Sequence, residues 1–421
     1  MEKKHEKVIL VGLGEDYAVQ GEFARGNPLD ELTQLTLTAG GDVVGTIVQR
    51  RTKIEPKYYI GTGKAQELHD AVTALGATTV ILDHDLSPAQ VSNLQELLGV
   101  KVIDRSGLIL DIFALRARTR EAKTQVELAQ LKYLLPRLTR QWTHLSRQVG
   151  GIGVRGPGET QLEVDRRRVR DRIAHLNESL KKIEKRMTVT HRRRKTRFMV
   201  TLVGYTNAGK STLFNAMCRA HAPVENLLFK TLDSMTRMMT FEDSSVVVIS
   251  DTIGFIRNLP HELIASFKST LADVREAALL LHVIDVASPA WQEQLGTVES
   301  VLRDIGASDI RNIMVFNKID QVSDTAFLNA LRSRYPGSFL ISARDGTGIV
   351  DLKHAIREES HRGLLTMTSR FGPDDSGLIS GIYRYGIVHE SVGEDNTVRL
   401  TFSLPEATAR KLGLIKTTEG S

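Results

Sequence analysis

GYTNAGKS, Gly204 to Ser211, places four residues between two glycines and follows the second with Lys and Ser. That is the pattern of a loop that holds polyphosphate, because a chain of negative charges needs backbone N–H groups, one ammonium and one hydroxyl in place of a bulky wall. Gly204 and Gly209 allow the wrap through Tyr205, Thr206, Asn207 and Ala208; Lys210 reaches the terminal phosphates, and the Ser211 hydroxyl is a ligand for Mg2+. The preceding run FMVTLVG, Phe198 to Gly204, reads as a buried strand, and LFNAM begins a helix whose positive end faces the phosphates. Strand, loop and helix in that order predict an α/β nucleotide-binding domain and weigh against a bare strand-to-helix turn.

Downstream, the remaining elements of a guanine nucleotide site follow in chain order. In FKTLDSMTR, Phe229 to Arg237, Thr231 can give Mg2+ a second hydroxyl while its backbone senses the terminal phosphate; Phe229, Lys230, Leu232 and Asp233 share that segment. The strand VVVIS delivers DTIG, where Asp251 would hold the ion through water, Thr252 and Ile253 follow, and the Gly254 N–H would touch the terminal phosphate. FNKID decides the base. Its Asp320 carboxylate accepts from the two guanine donors, N1–H and the exocyclic amine, which adenine lacks, and an unmet buried carboxylate is costly. Asn317 can steady the far edge of the base, and the Lys318 stem can pack along its plane, with Ile319 between Lys318 and Asp320. SAR, Ser342, Ala343 and Arg344, places Ala343 to offer its N–H to guanine O6. The four elements together predict a GTP site, with GTP as substrate and Mg2+ as cofactor held by Ser211 and Thr231.

Upstream, Leu128, Leu131, Leu135, Leu138, Trp142, Leu145 and Val149 recur at steps of three and four, and so do Val169, Ile173, Leu176, Leu180, Ile183 and Met187. Two such seams separated by a short break predict an antiparallel helical hairpin over 119–195, kinked at Pro136. The break, GGIGVRGPG from Gly150 to Gly158, has five glycines in nine residues with Arg155 near its centre. A helix-helix turn needs only about two to five residues, so the tip reads as an RNA probe in preference to a passive turn. Between Arg166 and Lys195 there are thirteen Lys and Arg against three acids, Asp171, Glu178 and Glu184, which suits phosphate backbone. No aromatic residues interleave with them, so recognition of folded RNA by shape and phosphate is expected.

From Lys7 to about Arg118, apolar runs (KVILVGL, DVVGTIVQRR, KYYIG, TTVILD, VKVID) alternate with helical patterns, one of them opening at Ser87-Pro88. This predicts an N-terminal α/β domain, 1–118, with a mostly parallel sheet. GTGK, Gly61 to Lys64, lacks the second half of a phosphate loop and reads as a tight turn into a helix, while His84 and Asp85 read as loop polar residues. The GTPase domain is expected over 196–362 and a small α+β domain over 363–421, with SGLISGIYRYG and NTVRLTFSLP as strands and PEATARKLGL as a helix. At 421 residues the chain has room for three or four domains. One cysteine, Cys218, excludes a disulfide framework and favours a reducing cytosol. No export signal or run of about 18 apolar residues is present, so a soluble, cytoplasmic protein without a membrane span is expected. The net charge of +6 is modest for this length.

These stretches carry a resemblance over about Tyr58 to Ala355. YYIGTGKAQEL, DRSGLILDIFALRART, QVELAQLKYLLPRL, GGIGVRGPGETQLEVDRR, GYTNAGKSTLFN, DTIGFIRNLP, LLLHVIDVA and NKID are similar to the HflX family of ribosome-associated GTPases. The resemblance implies a dedicated N-terminal domain, binding to the large ribosomal subunit and its RNA, and splitting or rescue of stalled or stressed ribosomes; a monomer associated with ribosomes in the cytoplasm is expected. One segment departs from the family's usual FATLDPTTR, with Lys230, Ser234 and Met235 in place of Ala, Pro and Thr. No catalytic residue is assigned, because Phe255 stands where Ras-type GTPases carry the glutamine that orients water. A phenyl ring can neither donate nor accept that bond, so hydrolysis that is slow until a partner supplies the missing group is expected. A GTP-gated RNA-binding factor in large-subunit assembly, with little turnover, is the alternative.

Overall fold

The computed structural model describes residues 6–13, 29–50, 53–138, 161–194, 198–218, 229, 235–243, 245–257, 271–394 and 396–415. Strands β1 (Lys7–Leu13), β2 (Asp42–Gln49), β3 (Thr79–Leu82) and β4 (Lys101–Asp104) form a parallel sheet in the order β2-β1-β3-β4. Parallel neighbours need crossovers, which α1 (Asp30–Ala39), α2 (Thr62–Leu75) and α3 (Pro88–Leu98) provide, and α4 (Arg105–Arg116) packs against α1. The start of α3 is fixed by a capping box between Ser87 and Gln90, with Pro88 in the first turn. KYYIG is not a strand. It turns through Tyr59 at φ 67° and closes with a bridge to Glu55, after which Gly61 caps α2 and gives its N–H to Gln49 Oε1 at 2.8 Å.

Helices α5 (Arg120–Leu134) and α6 (Gln161–Arg194) run antiparallel, since Glu127 pairs with Arg172 while the later Leu138 carbonyl accepts from the earlier Arg166. Leu128 and Leu176 are buried along the seam that the heptads predict. Pro136 does more than kink the first helix: α5 ends at Leu134 and the chain tightens into a 3-10 turn over Leu135–Arg137, because proline has no N–H to continue the ladder. Trp142, Leu145 and Val149 of that seam and the glycine tip, Gly150 to Gly158, lie outside the described residues.

The central sheet takes the order β10-β9-β8-β5-β7-β6, from β5 (Phe198–Gly204), β6 (Met235–Thr240), β7 (Val246–Asp251), β8 (Leu279–Asp285), β9 (Asn312–Asn317) and β10 (Phe339–Leu340). Only β6 and β7 pair antiparallel. Helices α7 (Lys210–Cys218), α8 (Ala272–Arg275), α9 (Trp291–Asp304), α10 (Thr325–Arg334) and α11 (Ile349–His361) cover it. One apolar core, including Val200, Leu202, Leu213, Ile249 and Leu281, fills the space under α7. A second runs from Leu32, Leu35 and Phe113 of the N-terminal sheet's helices to Val203, Phe229 and Phe255 of the central sheet, so the two units share a core.

The last sheet is antiparallel, β11-β13-β12, built from β11 (Leu364–Phe371), β12 (Ile387–Glu394) and β13 (Thr397–Pro405). NTVRLTFSLP forms β13 and α13 (Glu406–Lys411) follows, as the sequence predicts. SGLISGIYRYG is instead helix α12 (Ser376–Tyr385). Its Leu378, Ile379, Ile382 and Tyr385 fall on one helical face and pack on the sheet through Phe402 and Leu404, which overrides the weak helix propensity of Gly377 and Gly381.

Candidate functional site

The site gathers at the carboxyl ends of β5, β7, β8 and β9, where a parallel sheet leaves a crevice for ligands. Gly204 leaves β5 at φ 152°, and a Cβ there would sit 2.2 Å from the Val283 carbonyl oxygen. Gly209 has φ 93° and would drive a Cβ to within 2.2 Å of Asn317 Nδ2. Both positions require glycine on two counts, backbone sign and close approach. Between them Asn207 holds a left-handed φ of 62°, and Lys210 opens α7 directly after Gly209.

Lys210 Nζ is buried and donates to the carbonyls of Gly204 at 3.0 Å and Tyr205 at 2.8 Å. Burial lowers its ammonium to about 8, against the pull of Asp251 in the other direction. An ammonium held by its own loop in this way is placed to meet phosphate oxygens without reorganising. Ser211 Oγ lies 2.6 Å from Asp251 Oδ2, so a hydroxyl and a buried carboxylate converge on one point. Hard oxygen donors at a phosphate loop suit Mg2+, and this pair fits it. Thr231, the other expected ligand, lies outside the described residues with Lys230, Leu232 and Asp233.

The DTIG segment is clamped to the phosphate loop. Phe255 N donates to the Gly204 carbonyl at 3.1 Å and Thr206 N donates to the Phe255 carbonyl at 2.7 Å. Gly254 lies so close that a Cβ would meet Thr206 Cα at 2.7 Å and Lys210 Nζ at 3.1 Å. Thr252 is buried and its hydroxyl is given to the Leu202 carbonyl, and Ile253 is buried. Phe229 N donates to Thr206 Oγ1 at 3.2 Å, while its ring meets Phe113 edge-on at 4.6 Å.

At the base end, Asn317 acts as a bracket. Its Nδ2 donates to the Ala208 carbonyl and its Oδ1 accepts from Ala343 N, each at 2.9 Å, which ties the NKID and SAR segments to the phosphate loop. The Ala343 N–H expected to face guanine O6 is therefore engaged by Asn317 here. Lys318, at φ 66°, donates to Asp285 Oδ2 at 2.6 Å and so has its stem fixed. Asp320 is exposed in the 3-10 turn that follows, Ser342 is buried, and Arg344 is exposed.

A family model described as "GTP-binding GTPase N-terminal" matches residues 27–114, one described as "GTP-binding GTPase Middle Region" matches 116–194, and one described as "50S ribosome-binding GTPase" matches 199–318. GTPase HflX of Escherichia coli K12 is 45% identical over 388 residues, 91% of each chain. GTPase HflX of Flavobacterium psychrophilum is 50% identical over 315 residues, 75% of this chain and 76% of its own. The chain belongs to the HflX family of GTPases. As an HflX GTPase it is an enzyme that hydrolyses GTP. Among solved structures, a GTP-binding protein from Sulfolobus solfataricus in complex with GDP aligns with 84% of this chain and 98% of its own, at TM-score 0.43 and 24% identity. No helix of the described residues is long and apolar enough to cross a membrane.

One group of residues at the HflX site escapes sequence reading. Tyr205 OH donates to Glu31 Oε2 of α1 at 2.7 Å and accepts from Arg257 N at 2.9 Å. Arg257 in turn reaches Asp83, beyond β3, at 3.1 Å, and the buried Arg105 joins Asp83 at 2.5 Å and also contacts Glu31 and the Arg257 carbonyl. The phosphate loop and the segment after DTIG are thus held by charged side chains of the N-terminal unit. The partners stand as far as 174 residues apart in the chain, so no local pattern announces them.

Proposed function

We propose that this HflX-family GTPase binds the large ribosomal subunit and uses GTP-dependent switching to split or rescue stalled ribosomes. In this reading GTP is held by Gly204–Ser211, 229–233, 251–254, 317–320 and 342–344, with Asp320 selecting guanine. Ser211 and Thr231 would hold Mg2+, which supplies charge stabilisation at the phosphates when bound. Lys210 neutralises the phosphate charge, and the N–H groups of the loop and of Gly254 orient the terminal phosphate. The chain divides into units at 1–118, 119–195, 196–362 and 363–421, acts as a cytoplasmic monomer, and projects its hairpin tip toward ribosomal RNA.

The observation that carries the reading is the match of 199–318 to a family described as a 50S ribosome-binding GTPase. The basic, 34-residue α6 adds a surface suited to RNA phosphates. Phe255 is buried with its main chain committed to the loop, so the chain offers no water-orienting group at that position and a ribosomal partner would complete the site. GTP turnover measured with and without purified large subunits, beside light scattering of intact ribosomes, tests this. Stimulated turnover with a fall in scattering is the expected result. Turnover indifferent to subunits, with intact ribosomes, would favour the assembly-factor alternative.

A further inference from the structure

Thr206 makes polar contacts in two directions that the binding of phosphate by the loop does not itself call for. Its main-chain N–H is given to the Phe255 carbonyl at 2.7 Å, directly after DTIG, and its Oγ1 accepts from Phe229 N at 3.2 Å, at the head of FKTLDSMTR. Both bonds are buried, since Thr206 is 6% exposed and Phe229 and Phe255 are each 2% exposed. In such a place a hydrogen bond meets little competition from water, and loss of the acceptor leaves a buried N–H unpaired. The side chain also borders Lys210 and Gly254, the groups assigned to the terminal phosphate. A Cβ built at Gly254 would sit 3.0 Å from Thr206 Cβ and 3.1 Å from Lys210 Nζ, so the threonine, the DTIG glycine and the ammonium converge.

The Phe229 end of this link is strained. Its φ is 52°, in the left-handed region that a bulky side chain rarely enters. Apart from glycines, the described residues with positive φ are Tyr59, Asn207, Phe229 and Lys318, and the last three border the nucleotide site. Backbone held in this way persists only where its surroundings over-determine it, and it gathers where a segment must be presented in one orientation. Two contacts do so here: the Thr206 hydroxyl fixes the Phe229 N–H, and the ring is locked edge-on against Phe113 of α4 at 4.6 Å. Thr231, the Mg2+ ligand of the proposed site, follows only two residues later in the chain. We propose that Thr206 is a positioning residue for GTP hydrolysis. Its hydroxyl holds Phe229 and its N–H holds Phe255, so one residue of the phosphate loop sets both segments that are expected to meet Mg2+ and the terminal phosphate. The inference rests on the proposed nucleotide site and assigns a role there to a hydroxyl that neither the phosphate-loop pattern nor guanine recognition requires.

The test follows a single turnover of GTP with the full-length protein in excess and no ribosomes, beside GDP affinity by titration, which also shows that each variant is folded. Thr206→Val keeps size and β-branching and removes the acceptor; Thr206→Ser keeps the acceptor and removes the methyl. Hydrolysis by Thr206→Val should fall about tenfold or more, because a displacement of about 1 Å loses the reactive geometry, while GDP affinity stays within about threefold of wild type. Thr206→Ser should hydrolyse GTP within about threefold of the wild-type rate. A hydroxyl that only supports the fold would instead lower GDP affinity along with hydrolysis. Wild-type hydrolysis by Thr206→Val, a Ser variant as slow as the Val variant, or a loss of GDP affinity that matches the loss of rate would each overturn the proposal. Lys210→Ala separates this inference from the site on which it rests. Full activity of Lys210→Ala would remove both, whereas an inactive Lys210→Ala beside an unimpaired Thr206→Val would remove the role of Thr206 alone.

Discussion

Asp320 and His282 show how much a single side chain can be asked to do. On the proposed site Asp320 meets two guanine donors, so Asp320→Asn should weaken GTP binding by about a hundredfold or more and improve binding of xanthosine triphosphate, whose carbonyl replaces the guanine amine. Titration of both nucleotides against the variant measures this, and unchanged GTP affinity would remove Asp320 from the site. His282 lies at the centre of β8, almost wholly buried. Burial first, and the Lys210 charge second, push it from 6.5 down to about 4. The folded protein keeps this imidazole neutral while the unfolded chain takes up a proton, so its contribution is complete above pH 6.5 and is lost as the pH falls toward 4. That contribution amounts to at most about 3 kcal/mol. Urea unfolding across this range should show the acid loss in the wild type and a flatter profile in His282→Leu.

At the scale of elements, the DTIG segment behaves as part of the core. Phe255 reads in sequence as a missing glutamine, so removal of its ring takes away no water-orienting group. The structure buries that ring between two units and pairs its main chain with Gly204 and Thr206. Phe255→Ala should therefore cost about 3–5 kcal/mol, seen as a lower denaturation midpoint, and weaken nucleotide binding with it. Helix α12 teaches a related lesson. SGLISGIYRYG carries glycines that speak against a helix, yet its apolar positions share a helical face and the β11-β13-β12 sheet supplies the surface to cover. A Cβ at Gly377 would meet open space, so Gly377→Ala should stabilise the protein by about 0.5–1 kcal/mol, measurable by thermal unfolding. Destabilisation at that position would speak against the helix. The hairpin illustrates the limit of periodicity: apolar steps of three and four identify the seam, whereas the end of α5 at Leu134 follows from the missing N–H of Pro136.

Across the whole molecule, adjacent residues at one strand end hold three units together. Asp104 is buried and accepts from Tyr133 at 2.6 Å and Arg137 at 2.6 Å at the base of the hairpin, while Arg105 binds Asp83 and Glu31 and through them reaches Arg257 and Tyr205. Replacing Arg105 by Met leaves Asp83 buried without its closest cation and should cost about 3–5 kcal/mol, read as a fall in the urea midpoint. Because Tyr205 belongs to the phosphate loop, nucleotide affinity should fall as well, and a variant as stable as wild type would show that the network is dispensable. The sequence by itself determined the residue types of the proposed site, since GYTNAGKS, DTIG, NKID and SAR are each written over a few consecutive residues. It determined the parallel sheets too, because alternation of apolar runs with helical patterns is a local signal. Only the tertiary structure decided which surfaces meet. Ion pairs between Glu31, Asp83, Arg105 and Arg257, the bracket that Asn317 makes with Ala208 and Ala343, and the burial of Phe255 depend on distances between residues far apart in the chain. Contact energy is set by those distances and by the exclusion of water, and neither is encoded in any short stretch of sequence.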